Sequence, residues 1–205
     1  MRLIAIEGGI GAGKSTLLTS LADMGYTVVA EPIERWTEGD NMLKSLYEDP
    51  TRWSFTFQIL ALTSRAKAVR AMKHHNHKGD MMFIERSLLS DLNVFAKAAL
   101  ESNSMSEAEM RIYRETYDLI MADDLMPSHI VHPNPPPEVV MSRMKARSRE
   151  GEENIKLIYM FQLERLHKEW FATEQIPVSQ MHDNSPNHIK AMLGENISLT
   201  SINKI

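Results

Sequence analysis

Gly8–Gly9–Ile10–Gly11–Ala12–Gly13–Lys14–Ser15 is the stretch whose residue types and spacing could most directly do chemistry. It matches G-x-x-x-x-G-K-[ST], a loop in which glycines let the backbone wrap a phosphate with successive N–H groups pointing inward. In that pattern Lys14 reaches the β- and γ-phosphate oxygens, the Ser15 hydroxyl is placed for Mg²⁺, and the nucleotide-binding stretch runs on to Thr16. The N-terminus of the helix that follows adds a favourable field for an anion. Two acids extend the chemistry: Glu31 follows the apolar run TVVA and Glu85 follows MMFI. If both runs are strands of one parallel sheet, their C-terminal ends share an edge, and ligands bind at that edge. One carboxylate there can accept a proton from an incoming hydroxyl while the other helps hold Mg²⁺ and its water. Pro32 fixes the chain next to Glu31, and Arg86 is placed to neutralise a phosphoryl group. Arg143, Arg147 and Arg149 form a second basic cluster. It reads as a closing lid over about residues 143–154 that supplies donors to transferring oxygens. The alternative is a solvated face paired with Glu138, Glu150, Glu152 and Glu153.

These residues need a frame that brings them together. Leu3–Ile6 reads as a buried strand, Gly8–Gly13 as a turn, and the segment from Lys14 toward Gly25 as a helix. Tyr26–Ala30 is a second strand, which makes a βαβ opening. Residues 40–77 read as mostly helical, with an aromatic patch at Trp53, Phe55 and Phe57. Met81–Ile84 is the third strand, followed by a helix from Ser90 to about Ala99. A second helix runs from Ser106 to Met121 behind the capping-box pattern SEAE. Ser128–His132 is the fourth strand, Pro137 opens a helix to about Arg149, Ile155–Phe171 is a further helix, and Ile176–Gln180 is the fifth strand. The expected fold is α/β, a five-stranded parallel sheet flanked by helices, in a single domain covering residues 1–205. The tract His74–His75–Asn76–His77 reads as a helix end or loop, since adjacent histidines point in different directions.

Composition narrows the function classes. Lys and Arg number 23 against 27 Asp and Glu, a formal charge of −4 that argues against a dedicated nucleic-acid binder. There is no cysteine, which excludes disulfide scaffolds, thiolate metal sites and cysteine nucleophiles. No window reaches 18 apolar residues, so no membrane span and a cytoplasmic location are expected. A guanine-reading N-K-x-D is absent, which argues against a GTPase.

Taken together, the motifs resemble the deoxyribonucleoside kinases of the deoxycytidine, deoxyguanosine and thymidine-2 type. The likeness rests on GGIGAGKST, on Glu31–Pro32 followed by Trp36, and on Tyr47 to Gln58 with its DPTRWSFTFQ. Arg65, Glu85–Arg86–Ser87 with Asp91, and the arginine-bearing stretch complete it. The resemblance implies a P-loop kinase fold and the roles that follow. Glu31 is the general base for the deoxyribose 5′-hydroxyl, and Arg86 and Lys14 act on the phosphoryl group. Tyr47 and Glu152 bind the 3′-hydroxyl, Gln58 reads the base, and Trp36, Phe57 and Phe95 enclose it. Glu85, with Ser15, organises Mg²⁺, while Arg143, Arg147 and Arg149 contact ATP or another nucleoside triphosphate. Arg65 with Asp91 resembles the branch that accepts deoxycytidine and purine deoxynucleosides, since a carboxylate accepts from an exocyclic amine and meets none in thymine. A homodimer through helices near residues 50–75 and 90–120 is also implied. Departures lie at HIVHPN and its following prolines and at Met181–His182–Asp183. Two alternatives stand beside this reading: a nucleoside monophosphate kinase of the thymidylate type, and a non-enzymatic nucleotide-binding protein. A thymidine-preferring or broad-specificity member is a further variant.

Overall fold

The computed structural model describes residues 1–75, 81–135, 137–147, 155–181 and 189. Five parallel strands, β1 (Arg2–Ile6), β2 (Thr27–Val29), β3 (Met81–Glu85), β4 (His129–Pro133) and β5 (Val178–Met181), form one sheet. Their order across it is β2-β3-β1-β4-β5. Ile4 of β1 stands level with Phe83 of β3 on one side and His129 of β4 on the other. The central strands are apolar on both faces because helices cover both, the usual condition of an all-parallel sheet. Ile4, Ile6, Phe83 and Val131 pack on Leu17, Leu18 and Leu21 of helix α1 (Lys14–Asp23). Leu3, Ala5, Met82, Ile84 and Ile130 face the opposite way, toward the larger cluster. That cluster draws on α4 (Pro50–His75), α7 (Glu107–Ile120) and α9 (Leu157–Thr173).

A third, smaller core stands off the sheet. Trp36 of α2 (Ile33–Thr37), Leu43 of α3 (Met42–Glu48), and Phe57 and Ala61 of α4 pack together there. The sequence pattern contained no α2, because Pro32 reads as a break. The chain turns helical again directly after it, and this sets Trp36 inward. The helical stretch expected over 40–77 divides at Asp49, with Pro50 at the first position of α4, where its missing N–H costs nothing. The aromatic patch on α4 also divides. Phe57 joins the small core and Phe55 packs against the large one.

The helix expected from Ser90 starts earlier and changes pitch. It runs as α5 (Leu88–Ser90), a π-helical turn Asp91–Ala96, and α6 (Lys97–Glu101). Single π turns inside α-helices are frequent at functional sites. Ahead of α7 the expected capping box is present: Ser106 N and Oγ both donate to Glu109, and Glu109 N donates to Ser106 Oγ. The helix that Pro137 opens, α8 (Pro137–Arg147), completes the set. Strand boundaries moved by one or two residues; Glu85 ends β3 instead of following it, and β5 begins at Val178. Among the described residues, no helix is long and apolar enough to cross a membrane.

Candidate active site

The C-terminal ends of β1, β2 and β3 converge on one cavity of about 650 Å³, within the range of small-molecule sites. β1 ends at Ile6, and the glycine loop carries the chain to α1. Gly8 has φ +144°, and a Cβ there would sit 3.1 Å from Pro133 O and 3.3 Å from His132 Nδ1, so the loop passes tightly under the end of β4. A Cβ on Gly11 (φ +79°) would meet Met144 Cγ at 2.9 Å, because α8 lies across the loop. Gly13, left-handed at φ 90°, starts α1 with no side-chain cap, which leaves the N–H groups of its first turn to serve an anion. Arg143 of α8 reaches back to donate to Ala12 O at 3.1 Å.

Lys14 is buried and donates to Gly9 O at 2.9 Å, with Glu85 Oε1 3.9 Å away. Burial, reinforced by the charge of Arg86, brings its ammonium down to about 8; Glu85 and Glu31 offset part of that. The Ser15 hydroxyl donates to Glu85 Oε1 at 3.0 Å, so the two residues expected to hold a metal are neighbours across the strand ends. Among the described residues, no group of three His, Cys, Asp or Glu is arranged to hold a metal ion. Mg²⁺ does not require one, because it commonly takes one or two protein oxygens and completes its shell with phosphate and water.

Behind the acids lies a buried ionic network. Arg65, from the middle of α4, donates through Nε and Nη2 to both carboxylate oxygens of Asp91, at 3.0 and 3.2 Å. Its Nη1 donates to Glu85 O at 3.0 Å, and Glu31 Oε1 lies 3.4 Å from Nη2. Burial pushes the Asp91 carboxyl up, and the Arg65 charge pulls it back. Glu31 Oε1 also forms an ion pair with Arg86, 2.9 Å from its Nε. Arg86 has φ +62°, left-handed without being glycine, which costs about 1–2 kcal/mol. Its guanidinium carbon lies 4.6 Å from the centre of the Phe95 ring, and its Nη1 is buried without a hydrogen-bond partner among the described residues.

The far end of the cavity is apolar with a few polar groups. Trp36 and Phe57 meet edge to face at 5.4 Å, and Trp36 Nε1 donates to Ser64 Oγ. Tyr47, Gln58, Asp91 and Phe95 line the same space. Every residue expected at the site whose side chain is described is therefore at this cavity or on the loop that floors it. Arg147 is the last residue of α8, with only its backbone described, and Arg149 and Glu152 lie outside the described residues. Sequence reasoning missed Leu43, Leu46 and Tyr159, which also line the cavity; burial brings the Tyr159 hydroxyl up to about 12. It missed Glu7 as well, which is fully buried beside the loop. No spacing rule marks these residues, since they reach the site through packing.

The chain matches the family described as deoxynucleoside kinase over residues 4–201. It is 39% identical over 171 residues to a probable deoxycytidine kinase of fowlpox virus (strain NVSL), an overlap of 82% of this chain and 71% of the relative. Deoxycytidine kinase 2 of Gallus gallus is 33% identical over 203 residues, with 87% of this chain and 77% of the relative covered. The mitochondrial deoxyguanosine kinase of Xenopus laevis is 27% identical over 205 residues, covering 87% and 76%. With a family match that spans nearly the whole sequence and relatives above 30% identity over most of both lengths, this chain belongs to the deoxynucleoside kinase family.

Proposed function

We propose that the protein transfers the γ-phosphoryl group of ATP, or of another nucleoside triphosphate, to the 5′-hydroxyl of a deoxyribonucleoside. Deoxycytidine or a purine deoxynucleoside is preferred over thymidine. The observation that carries the reading is the junction of Glu31 and Arg86: a carboxylate beside a buried guanidinium whose Nη1 has no hydrogen-bond partner among the described residues, between a glycine loop and an aromatic slot. Glu31 takes the 5′-hydroxyl proton as the oxygen attacks phosphorus, and the nucleoside diphosphate leaves. Arg86 Nη1 and Lys14 donate to the phosphoryl oxygens, on which charge is spread. Ser15 and Glu85 would hold Mg²⁺, which when bound neutralises charge on the phosphates.

At the acceptor end, Trp36, Phe57 and Phe95 enclose the base, Gln58 supplies an oriented amide, and Tyr47 with Glu152 takes the 3′-hydroxyl. A site with polar groups set for that hydroxyl discriminates against sugars without it. Asp91, oriented by Arg65, accepts from an exocyclic amine, and the relatives named as deoxycytidine kinases support that preference. Arg143, Arg147 and Arg149 form the lid of a P-loop kinase fold; the contact of Arg143 with the glycine loop supports this. The whole chain acts as one catalytic domain, in the cytoplasm, as a homodimer joined through helices near residues 50–75 and 90–120. Ile112 and Leu119 of α7, 48% and 88% exposed, supply the apolar surface for that joint.

A phosphorylation panel of deoxycytidine, deoxyadenosine, deoxyguanosine and thymidine, with dCMP and dTMP as controls, tests the reading directly. Turnover of deoxycytidine or a purine deoxynucleoside with silent monophosphates is expected; turnover of monophosphates alone would transfer the protein to the monophosphate kinases. The double change Arg65→Met with Asp91→Ala should move preference toward thymidine, whereas an equal loss on every substrate would make the pair structural. Glu31→Gln should lower kcat roughly 10²–10⁴-fold while ATP still binds, and unchanged turnover removes Glu31 as the base. Because phosphate binds the protonated amine, ATP affinity should weaken as pH rises through about 8, where Lys14 deprotonates in the free protein. The decline should approach about tenfold per pH unit and vanish in Lys14→Arg, whose side chain does not titrate there. A flat titration to alkaline pH in the unaltered protein would count against Lys14. Sedimentation should show a dimer that Leu119→Glu dissociates; an unaltered protein that sediments as a monomer would refute it.

A further inference from the structure

We infer that Glu7 is a positioning residue for phosphoryl transfer, a buried clamp that holds the Glu85–Arg86–Ser87 turn so that the Arg86 guanidinium meets Glu31 and the cavity. Glu7 follows β1 directly and does not line the cavity. Its side chain is completely buried, and its Oε1 accepts from both Ser87 N, at 2.6 Å, and Ser87 Oγ, at 2.7 Å. Its backbone is fixed as well, since Glu7 N donates to Val131 O at 2.9 Å and Glu7 O lies 3.1 Å from His132 Nδ1. Glu7 is thus tied to β4 through its main chain and to the end of β3 through its carboxylate.

Between those anchors stands Arg86 at φ +62°. A left-handed residue other than glycine persists only where its surroundings over-determine it. Here they do so from both sides: Arg86 N donates to Ile6 O at 3.0 Å, and the next residue is held twice by Glu7. Ser90 Oγ adds a third tie by donating to Ser87 O at 2.9 Å. Relaxation of Arg86 to negative φ would swing its side chain off the Phe95 ring and away from Glu31 Oε1. It would also shift Glu85, whose carbonyl receives Arg65 and whose carboxylate receives Ser15. The Glu7 carboxylate therefore links the glycine-loop strand to the turn that carries the acid and the arginine. It sets their spacing without touching either substrate.

This inference rests on the role proposed for Arg86, and its test separates the two. Glu7→Met keeps the volume and removes the acceptor, and should lower kcat roughly 10–100-fold with both KM values within about threefold. Glu7→Gln, which keeps one acceptor oxygen for Ser87, should restore most of that loss. Ser87→Ala removes one of the two donors and should fall between them; it also serves if Glu7→Met does not fold. In an Arg86→Ala background, Glu7→Met should add almost nothing to the loss in kcat, because both changes remove the same positioned group. Multiplying losses, or a lowered melting temperature with unchanged kcat, would reduce Glu7 to a structural role and overturn the inference. Arg86→Ala alone tests the reading of Arg86. If it proves fully active, the clamp is judged from exchange of the Ser87 amide proton, which Glu7→Met should accelerate and Glu7→Gln should not. An unchanged exchange rate would refute it.

Discussion

A guanidinium buried to 3% exposure is the constraint on which the rest of this site depends. Burial of a charge is tolerated only when it is paired and its donors are satisfied. Arg65 meets that condition with groups from three places in the chain. Asp91 on the π turn accepts two hydrogen bonds from it, Glu85 offers its carbonyl at the end of β3, and Glu31 lies close by beyond β2. These are the groups proposed to read the base, to hold the metal and to take the proton. Removing one partner of such a pair costs about 3–5 kcal/mol, because the other charge is left uncompensated. The relative positions of Asp91, Glu85 and Glu31 are therefore tied to the pairing of Arg65, with Arg86 as a second cation on Glu31.

The second constraint is backbone crowding at the sheet edge. Gly8 runs under Pro133 O, Gly11 lies beneath α8, and Gly13 begins α1 in a left-handed conformation. Each position excludes a side chain or favours its absence, and together they leave the loop backbone to form one end of the cavity. Lys14, buried among carboxylates, donates to the loop carbonyl of Gly9 and so braces the loop from within. The strain at Arg86 belongs to the same edge: left-handed geometry there turns its side chain back toward Glu31, and neighbouring strands hold it in place.

The glycine loop, the two acids and the five strands were all evident in the sequence. The physical reasons are local: a phosphate cradle needs glycines at fixed offsets, buried parallel strands read as short apolar runs, and a capping box announces α7 through Ser106 and Glu109. Resemblance to a family added Trp36, Tyr47, Phe57, Gln58 and Phe95, which no spacing rule would have selected. Other features left no local mark. The helix α2 was hidden because proline both breaks a strand and begins a helix. The π turn was hidden because its pitch follows from packing rather than from side-chain period. Glu7, Leu43, Leu46 and Tyr159 were hidden because an acid beside a glycine loop, or an apolar residue in a helix, has many uses.

Already legible in the sequence were the groups that the fold gathers at one cavity: the glycine loop with Lys14 and Ser15, the acids Glu31 and Glu85, and the arginines Arg86 and Arg143. How these groups share their charges is a product of the folded contacts alone. Arg65 serves Asp91, Glu85 and Glu31 at once, and Glu7 reaches from the end of β1 to Ser87 at the end of β3. Such partnerships join residues far apart in the chain. They depend on strand order and register, which follow from packing every apolar face together rather than from any one segment.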